Sequence, residues 1–208
     1  LEEPQRLTEL CGGGFDCAAA AAEVWQRIQD VAEDHYDRTA ACRFTSFVGY
    51  EWSGATGVSN LHRNVIFRNE TVPPVPHTYM DSIHAENLWL SLEADCNQAG
   101  SGCEALVIPH NSNLSNGQMF TVAADPLASP EAELEAAARR ARMEPLFEII
   151  QHKGASECVD GLSTSGSESD PFCGFEQARA GPLEPCGDEP GTGGMIGLGC
   201  GSRHDLLR

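Results

Sequence analysis

The segment EALVIPH, residues 104–110, is short, mostly apolar and ends in a histidine. It runs directly into NSNLSNGQMF, residues 111–120, which contains three asparagines, two serines and one glycine. A short apolar run bounded by turn-forming residues is typical of a buried β-strand. The sequence therefore predicts a strand that ends at His110 and is followed by a polar loop.

Segments with strand and helix patterns alternate around this strand. FTSFVGYEW (44–52) and NVIFR (64–68) are rich in aromatic and β-branched residues, which predicts two strands, and the short loop between them is compatible with a hairpin. PLFEIIQ (145–151) predicts a further strand. Helices are predicted at 16–36, with Asp16 as N-cap, at 84–95, and at 129–144, with Ser129 as N-cap.

The order of these elements predicts the direction of the strands. Strand, helix, strand, helix and strand follow one another from 64 to 151, as they do in βαβ units with a parallel sheet. In such folds, polar residues at the carboxyl ends of the strands line the functional site. We therefore expect an α/β fold with mostly parallel strands and a site at that edge of the sheet.

Length and charge restrict the class of protein. A chain of 208 residues predicts one domain or at most two small ones. Its formal net charge is −18, from 31 acidic and 13 basic residues, so phosphates would be repelled and no nucleic-acid partner is expected. No apolar run approaches the roughly 18 residues that cross a bilayer, so no membrane insertion is expected.

Nine cysteines indicate an oxidising compartment. Several bracket short loops rich in glycine and serine, and none shows the CxxC…CxxC spacing of a structural zinc site. Scattered buried thiols are the alternative, and an odd number leaves at least one cysteine free or paired elsewhere. The disulfide candidates are the pairs that bracket such loops, namely Cys96 with Cys103, Cys158 with Cys173, and Cys186 with Cys200, and several other pairings of the nine cysteines stay open. Disulfides predict a periplasmic or extracellular location.

The composition changes beyond Lys153. From there to about residue 201 the chain is rich in Gly, Ser, Pro, Asp and Glu, with little periodicity. So long an irregular stretch is unusual inside a compact domain and indicates an insertion or a truncated region. We expect residues 1–158 to form one domain and residues 159–208 to form a disulfide-tied insertion that ends at the start of a further helix.

Several predicted strand ends carry residues that bind divalent cations. Glu51 and His110 each close a strand, and imidazole and carboxylate are common metal ligands. His62 enters the strand after Glu51, while His152 and Glu157 follow the strand at 145–151. The residues assigned to an anionic substrate, through hydrogen bonds or charge, are Arg63, Asn111, Asn113, Asn116 and Lys153.

Each of these residues also has an ordinary structural interpretation. A single histidine at a strand end is often a hydrogen-bonded structural residue. Asn-Ser-Asn runs are common in turns, where their side chains bond the local backbone. Arg63 could pair with one of the many acids, and Glu51 could be a solvated strand end.

Four segments, taken together, resemble a known family. FVGYEW, NLHRNVIFRN, IPHNSNLSNGQMF and EIIQHKGASEC are similar to successive signature segments of the domain-of-unknown-function 3604 family, over roughly residues 42–158. That family is thought to resemble the polymerase-and-histidinol-phosphatase superfamily of metal-dependent phosphoesterases. The resemblance implies a distorted (β/α) barrel with divalent metals at the carboxyl ends of its strands.

The resemblance also implies roles for particular residues. Gly49–Glu51 matches a Gly-x-Glu segment, so Glu51 is the expected bridging ligand, and His110 matches the strand-ending histidine. His62 and Glu157 are further ligand candidates. Zinc, manganese, iron or magnesium would suit such a site, and the expected substrate is a small anionic ester.

The chain also departs from the superfamily pattern. An initial Asp-x-His-x-His segment and a final Asp-x-His segment are both missing, which predicts an internal fragment with an incomplete barrel. We expect part of a hydrolase that attacks phosphate or sulfate esters with metal-activated water, inactive as a fragment. The alternative is a secreted carbohydrate- or partner-binding module with Trp52 or Trp89 exposed for stacking.

Overall fold

The computed structural model describes residues 4–120 and 129–151, together with Cys186, Gly191 and Cys200. A turn of 3-10 helix lies at Thr56–Val58, and a π-helical turn at Glu93–Asn97 continues the third α-helix. In chain order the elements are α1 (Thr8–Cys11), α2 (Cys17–His35), β1 (Gly49–Trp52), β2 (Arg63–Phe67), α3 (Ala85–Leu92), β3 (Ala105–Pro109) and α4 (Pro130–Met143).

The three strands form one sheet in the order β1-β2-β3. Phe67 N donates to Val48 O at 2.9 Å, so the end of β2 lies beside the start of β1. At the other edge, Arg68 N donates to Glu104 O at 2.9 Å, so the end of β2 also lies beside the start of β3. Both neighbouring pairs are therefore antiparallel.

This arrangement corrects the expected fold. The prediction of mostly parallel strands in an incomplete (β/α) barrel is wrong for the residues that the structure describes. A parallel partner for β2 would need a crossover that carries the chain to the opposite end of the sheet. Instead, α3 and the π-helical turn return the chain to the end of the sheet that it left, where Asn97 Oδ1 accepts from Ala105 N at 2.7 Å.

The predicted strand at 145–151 is also wrong. These residues form no regular element, and Leu146, Phe147, Ile149 and Ile150 are exposed. The segment is joined to the end of β3 by a backbone hydrogen bond from Glu148 N to Pro109 O, 3.1 Å long. Its apolar pattern indicated a buried strand, but no neighbouring strand covers it within the described part of the chain.

Residues close in space fall into two compact units. The first contains Leu1–Trp52, Asn64–Ile108 and Ala136–Pro145, and the second contains Ser53–Arg63, Pro109–Glu135 and Leu146–Arg208. The first unit has an apolar core, which includes Trp25, Val48, Trp52, Val65, Phe67, Leu88, Val107 and Met143. The boundary expected between residues 158 and 159 lies outside the described residues.

Helix α2 confirms the prediction from its cap and periodicity. Asp16 accepts hydrogen bonds from Ala18 N and Ala19 N, at 2.9 and 3.0 Å, which satisfies two of the backbone donors at the helix start. Trp25 anchors the helix in the first unit, because its ring is buried and its Nε1 donates to Pro73 O at 3.0 Å. The ring also meets Tyr50 edge to face, with centroids 5.7 Å apart.

Three disulfides are present among the described residues. Cys96–Cys103 and Cys186–Cys200 form as predicted, while Cys11–Cys17, between α1 and α2, was not predicted. Cys158 and Cys173 lie outside the described residues. Cys42 is exposed and has a free thiol. Several intramolecular disulfides are typical of proteins from oxidising compartments.

None of the helices that the structure describes has the length and apolar character required to span a bilayer.

Candidate functional site

Two histidines meet at one end of the β2–β3 pair. His62 immediately precedes β2 and His110 immediately follows β3, so the antiparallel pairing places them side by side. His110 N donates to His62 O at 3.3 Å. Their imidazole rings meet edge to face, with centroids 5.6 Å apart and planes at 89°. Both residues belong to the second unit.

The ring orientation of His110 defines which nitrogen carries its proton. His110 is buried, and its Nδ1 is hydrogen-bonded to the carbonyl oxygen of Asn111. Because a carbonyl oxygen can only accept, Nδ1 must be the protonated nitrogen. The lone pair of the neutral ring therefore lies on Nε2. Metal-binding histidines usually have this arrangement, with one ring N–H donated to a carbonyl or carboxylate.

The asparagine-rich loop after His110 is folded tightly on itself. Ser115 N donates to Ser112 O and Gln118 N donates to Ser115 O, at 3.2 and 3.0 Å. Leu114 and Asn116 have positive φ angles of 59° and 55°, which is uncommon for residues other than glycine. Most of the loop side chains are buried, including Asn111, Ser112, Asn113, Ser115 and Asn116. Much of the amide content predicted to contact substrate is thus enclosed within the loop region.

Ser59 links this loop to the segment before β2. Its hydroxyl donates to Gly57 O at 3.4 Å, so its lone pairs accept from Asn116 Nδ2 at 2.8 Å and from Gln118 Nε2 at 3.1 Å. Asn60 N also donates to Leu114 O at 2.9 Å. Asn116 therefore has a structural role, and its role toward a substrate stays a prediction.

Arg63 is held by backbone carbonyls. Its side chain is buried, and its guanidinium donates to Leu61 O and, at 3.5 Å, to Met119 O. These bonds tie the start of β2 to the chain that follows the asparagine-rich loop. A guanidinium with such partners stabilises the second unit, and its predicted contact with an anionic substrate stays a prediction.

Glu148 is a residue that the sequence interpretation missed. Its Oε2 accepts from Asn111 N at 3.1 Å and from Gln151 Nε2 at 2.6 Å. Gln151 Oε1 in turn accepts from Asn113 Nδ2 at 3.4 Å. The available signal was an acid within the apolar segment PLFEIIQ, which was interpreted as a strand.

The remaining predicted residues are not tested by these contacts. Glu51 lies in β1, in the first unit, and is exposed. Its predicted convergence with His110 stays a prediction. His152, Lys153 and Glu157 lie outside the described residues. Within 4–120 and 129–151, no group of three or more His, Cys, Asp or Glu side chains could hold a metal ion.

The histidine pair can nevertheless be compared with two ligands of one cation. A metal–nitrogen distance of about 2.1 Å puts each ring centroid about 3.2 Å from the cation, so two imidazoles on a tetrahedral cation have centroids about 5 Å apart. The observed distance of 5.6 Å is close to this value. The two rings are therefore close enough for one cation to lie between them, while the described residues do not supply a complete ligand set.

The comparisons with known proteins show a family. Neither the search of curated proteins nor the search of solved structures returned a match. A family model described as "Protein of unknown function (DUF3604)" matches residues 2–191, which is most of the chain. The protein therefore belongs to the DUF3604 family.

Proposed function

We propose that this chain is part of a divalent-metal-dependent hydrolase that acts on small phosphate or sulfate esters, with His62 and His110 among its metal ligands. The observation that carries the proposal is the pair of neighbouring imidazoles at the end of β2 and β3. Imidazole suits zinc and iron, whereas carboxylates suit manganese and magnesium, and the expected site combines both ligand types. The metal is therefore proposed as a divalent cation without further choice.

In this proposal the chain contributes two imidazoles, of His62 and His110, that the fold holds in place. The His110–Asn111 hydrogen bond sets the tautomer of His110, which leaves Nε2 to bind the cation. The antiparallel register sets the distance between the two rings. A bound divalent cation would lower the pKa of a coordinated water and stabilise negative charge on the ester.

The other candidate residues have a structural role, a proposed contact with the substrate, or both. Arg63 and Asn116 have internal partners that help maintain the shape of the second unit, and their contact with an anionic substrate stays part of the proposal. Lys153, predicted from sequence to contact an anionic group, keeps that proposed role. The three disulfides support a periplasmic or extracellular location for the enzyme.

One expectation of the alternative, a carbohydrate- or partner-binding module, is not met. It required Trp52 or Trp89 to be exposed for stacking. Trp52 is only 1% exposed and Trp89 only 8%. The Trp89 indole also donates to Glu144 Oε1 at 3.1 Å, which holds it in the first unit. No described tryptophan therefore favours that function.

The test measures metal affinity and ester hydrolysis together. The 208-residue chain and its His62→Ala and His110→Ala variants would be titrated with zinc and manganese in competition with a chromophoric chelator. Loss of either ligand should weaken binding by about 100-fold or more, since even partners outside the ligand shell contribute about 10- to 100-fold. Turnover of nitrophenyl phosphate and nitrophenyl sulfate would be measured on the same samples.

A matched control is His35→Ala, because His35 is an exposed histidine on α2 in the first unit. It should bind metal as the unmodified chain does. The proposal is wrong if both site variants fold and retain unchanged metal affinity. Metal binding without turnover of either ester is the result expected if the 208 residues hold only part of the active site, and it supports the metal-binding part of the proposal.

A further inference from the structure

We infer that Glu148 is a positioning residue for His110. Glu148 acts through the backbone of Asn111 and thereby defines the tautomer of the imidazole. The carboxylate fixes the Asn111 backbone, and the Asn111 carbonyl fixes the Nδ1 proton of His110. The consequence for metal binding rests on the proposed function, whereas the effect on the tautomer does not.

Glu148 bonds to the chain on both sides of His110. Its backbone N–H donates to Pro109 O at 3.1 Å, and its Oε2 accepts from Asn111 N at 3.1 Å. The residues before and after His110 are therefore both held by the same residue. These two hydrogen bonds leave the backbone dihedral angles at His110 little freedom to change.

Asn111 transmits the effect because both of its backbone polar groups are engaged. Its N–H is bound by the Glu148 carboxylate, and its carbonyl accepts from His110 Nδ1. Hydrogen bonds to an ionised acceptor are roughly twice as strong as neutral ones. Asn111 is fully buried, so water does not compete with either hydrogen bond.

Glu148 is itself oriented by a neighbouring amide. Gln151 Nε2 donates to the same Oε2 at 2.6 Å, so this oxygen accepts from two donors. A glutamine at position 148 could still accept from both, since its amide oxygen has two lone pairs. Alanine could accept from neither. Comparing Glu148→Gln with Glu148→Ala therefore separates the effect of the hydrogen-bond acceptor from the effects of the other properties of the side chain.

The direct test is the tautomer of His110 without metal. Nitrogen chemical shifts of the 208-residue chain, recorded in alkaline solution where imidazole is neutral, distinguish Nδ1–H from Nε2–H. We expect Nδ1–H in the unmodified chain and in Glu148→Gln, and a shift toward Nε2–H in Glu148→Ala. The zinc dissociation constant of Glu148→Ala should rise by about 10-fold, as for other partners outside the ligand shell.

The matched control is Glu104→Ala, which removes an exposed carboxylate from the first unit and should leave the His110 signals unchanged. Nδ1–H retained in Glu148→Ala would overturn the inference, as would Nε2–H in the unmodified chain. If Glu148→Ala does not fold, hydrogen exchange of the Asn111 backbone amide in the unmodified chain provides the test instead. Protection there supports the inference, and exchange at the rate of an open loop contradicts it. If both His62→Ala and His110→Ala bind zinc normally, the proposed function fails while the tautomer result still stands.

Discussion

His110 N–H donates to the His62 carbonyl at 3.3 Å, and the imidazoles of these two residues meet edge to face with centroids 5.6 Å apart. The contact follows from the antiparallel pairing of β2 with β3. A shift of one residue in that register would move His110 to the opposite face of the sheet, because side chains alternate along a strand. The histidine pair is thus fixed by the sheet as well as by the loop.

Zinc should stabilise the folded chain through this pair. At a free concentration of about 100 times the dissociation constant, binding adds about 2.7 kcal/mol to the free energy of unfolding. For a chain of this size that raises the melting temperature by about 5–10 °C. We expect this rise in the unmodified chain and its loss in the His62→Ala/His110→Ala double variant, measured by thermal melting with and without zinc.

The comparison needs a histidine variant outside the pair. His35→Ala should show the same zinc-dependent rise as the unmodified chain, because His35 lies on α2 and contacts Val31 O. A rise that persists in the double variant would place the stabilising zinc elsewhere. A rise that disappears in His35→Ala would contradict the assignment equally.

The helices could be predicted because their signals are local. Asp16 caps α2 and Ser129 accepts from Ala132 N at the start of α4, as their sequence positions indicate. The direction of the strands could not be predicted in this way. An alternation of strands and helices indicates parallel strands only if each helix carries the chain across the sheet. The return of the chain through Asn97 to Ala105 depends on contacts that no sequence window contains.

The same distinction applies to the candidate site. His62 and His110 are both predicted as ligands from the sequence. A shared edge of parallel strands is the reason given for His110 and Glu51, whereas His62 is included because it enters the strand after Glu51. The two histidines meet because antiparallel pairing joins the start of one strand to the end of the other. Glu148 was missed because an acid within an apolar segment gives no sign of its partner, Asn111, which is 37 residues away along the chain.

Glu93 should be a main determinant of stability in the first unit. It is buried in the π-helical turn, and its carboxylate accepts from Arg139 Nε at 3.0 Å and from Arg142 Nη2 at 2.7 Å. Glu93→Ala leaves Arg139, itself mostly buried, without this partner. We expect a loss of about 2 kcal/mol in the free energy of unfolding, below the value for a fully buried pair because Arg142 is more than half exposed.

Urea unfolding measures this loss, with Glu104→Ala as the comparison. Glu104 pairs with Arg68 at 2.7 Å, but both side chains are exposed, so its removal should change stability by less than about 1 kcal/mol. Equal losses in the two variants would show that burial does not strengthen the Glu93 cluster.

The same carboxylate should give a defined pH dependence. Burial acts to raise the pKa of Glu93, but the hydrogen bonds and positive charge of Arg142 and Arg139 outweigh it, so the pKa lies below its ordinary value of 4.5. The unfolded chain therefore binds this proton at a higher pH than the folded chain does. The stabilisation from Glu93 is present above pH 4.5 and is lost as the pH falls through the folded pKa.

Glu93→Gln isolates this contribution from the other carboxylates. Asp37, whose pKa is also lowered, chiefly by the hydrogen bond from the Thr39 hydroxyl, is present in both proteins and cancels in the difference. The difference in unfolding free energy between the unmodified chain and Glu93→Gln should narrow as the pH falls below 4.5. A difference that is constant or widens toward acid would contradict the lowered pKa.

The disulfide between Cys96 and Cys103 should stabilise the turn that leads into β3. The two cysteines are buried and seven positions apart, so the bond restricts a short loop of the unfolded chain and contributes about 2 kcal/mol. The Cys96→Ala/Cys103→Ala double variant should lose about this amount in urea unfolding. Cys42→Ser, which removes an exposed free thiol, should leave the unfolding free energy unchanged. Alkylation of the native chain followed by peptide mapping should label Cys42 and spare Cys96 and Cys103, and labelling of Cys96 in the folded protein would show that this disulfide is absent.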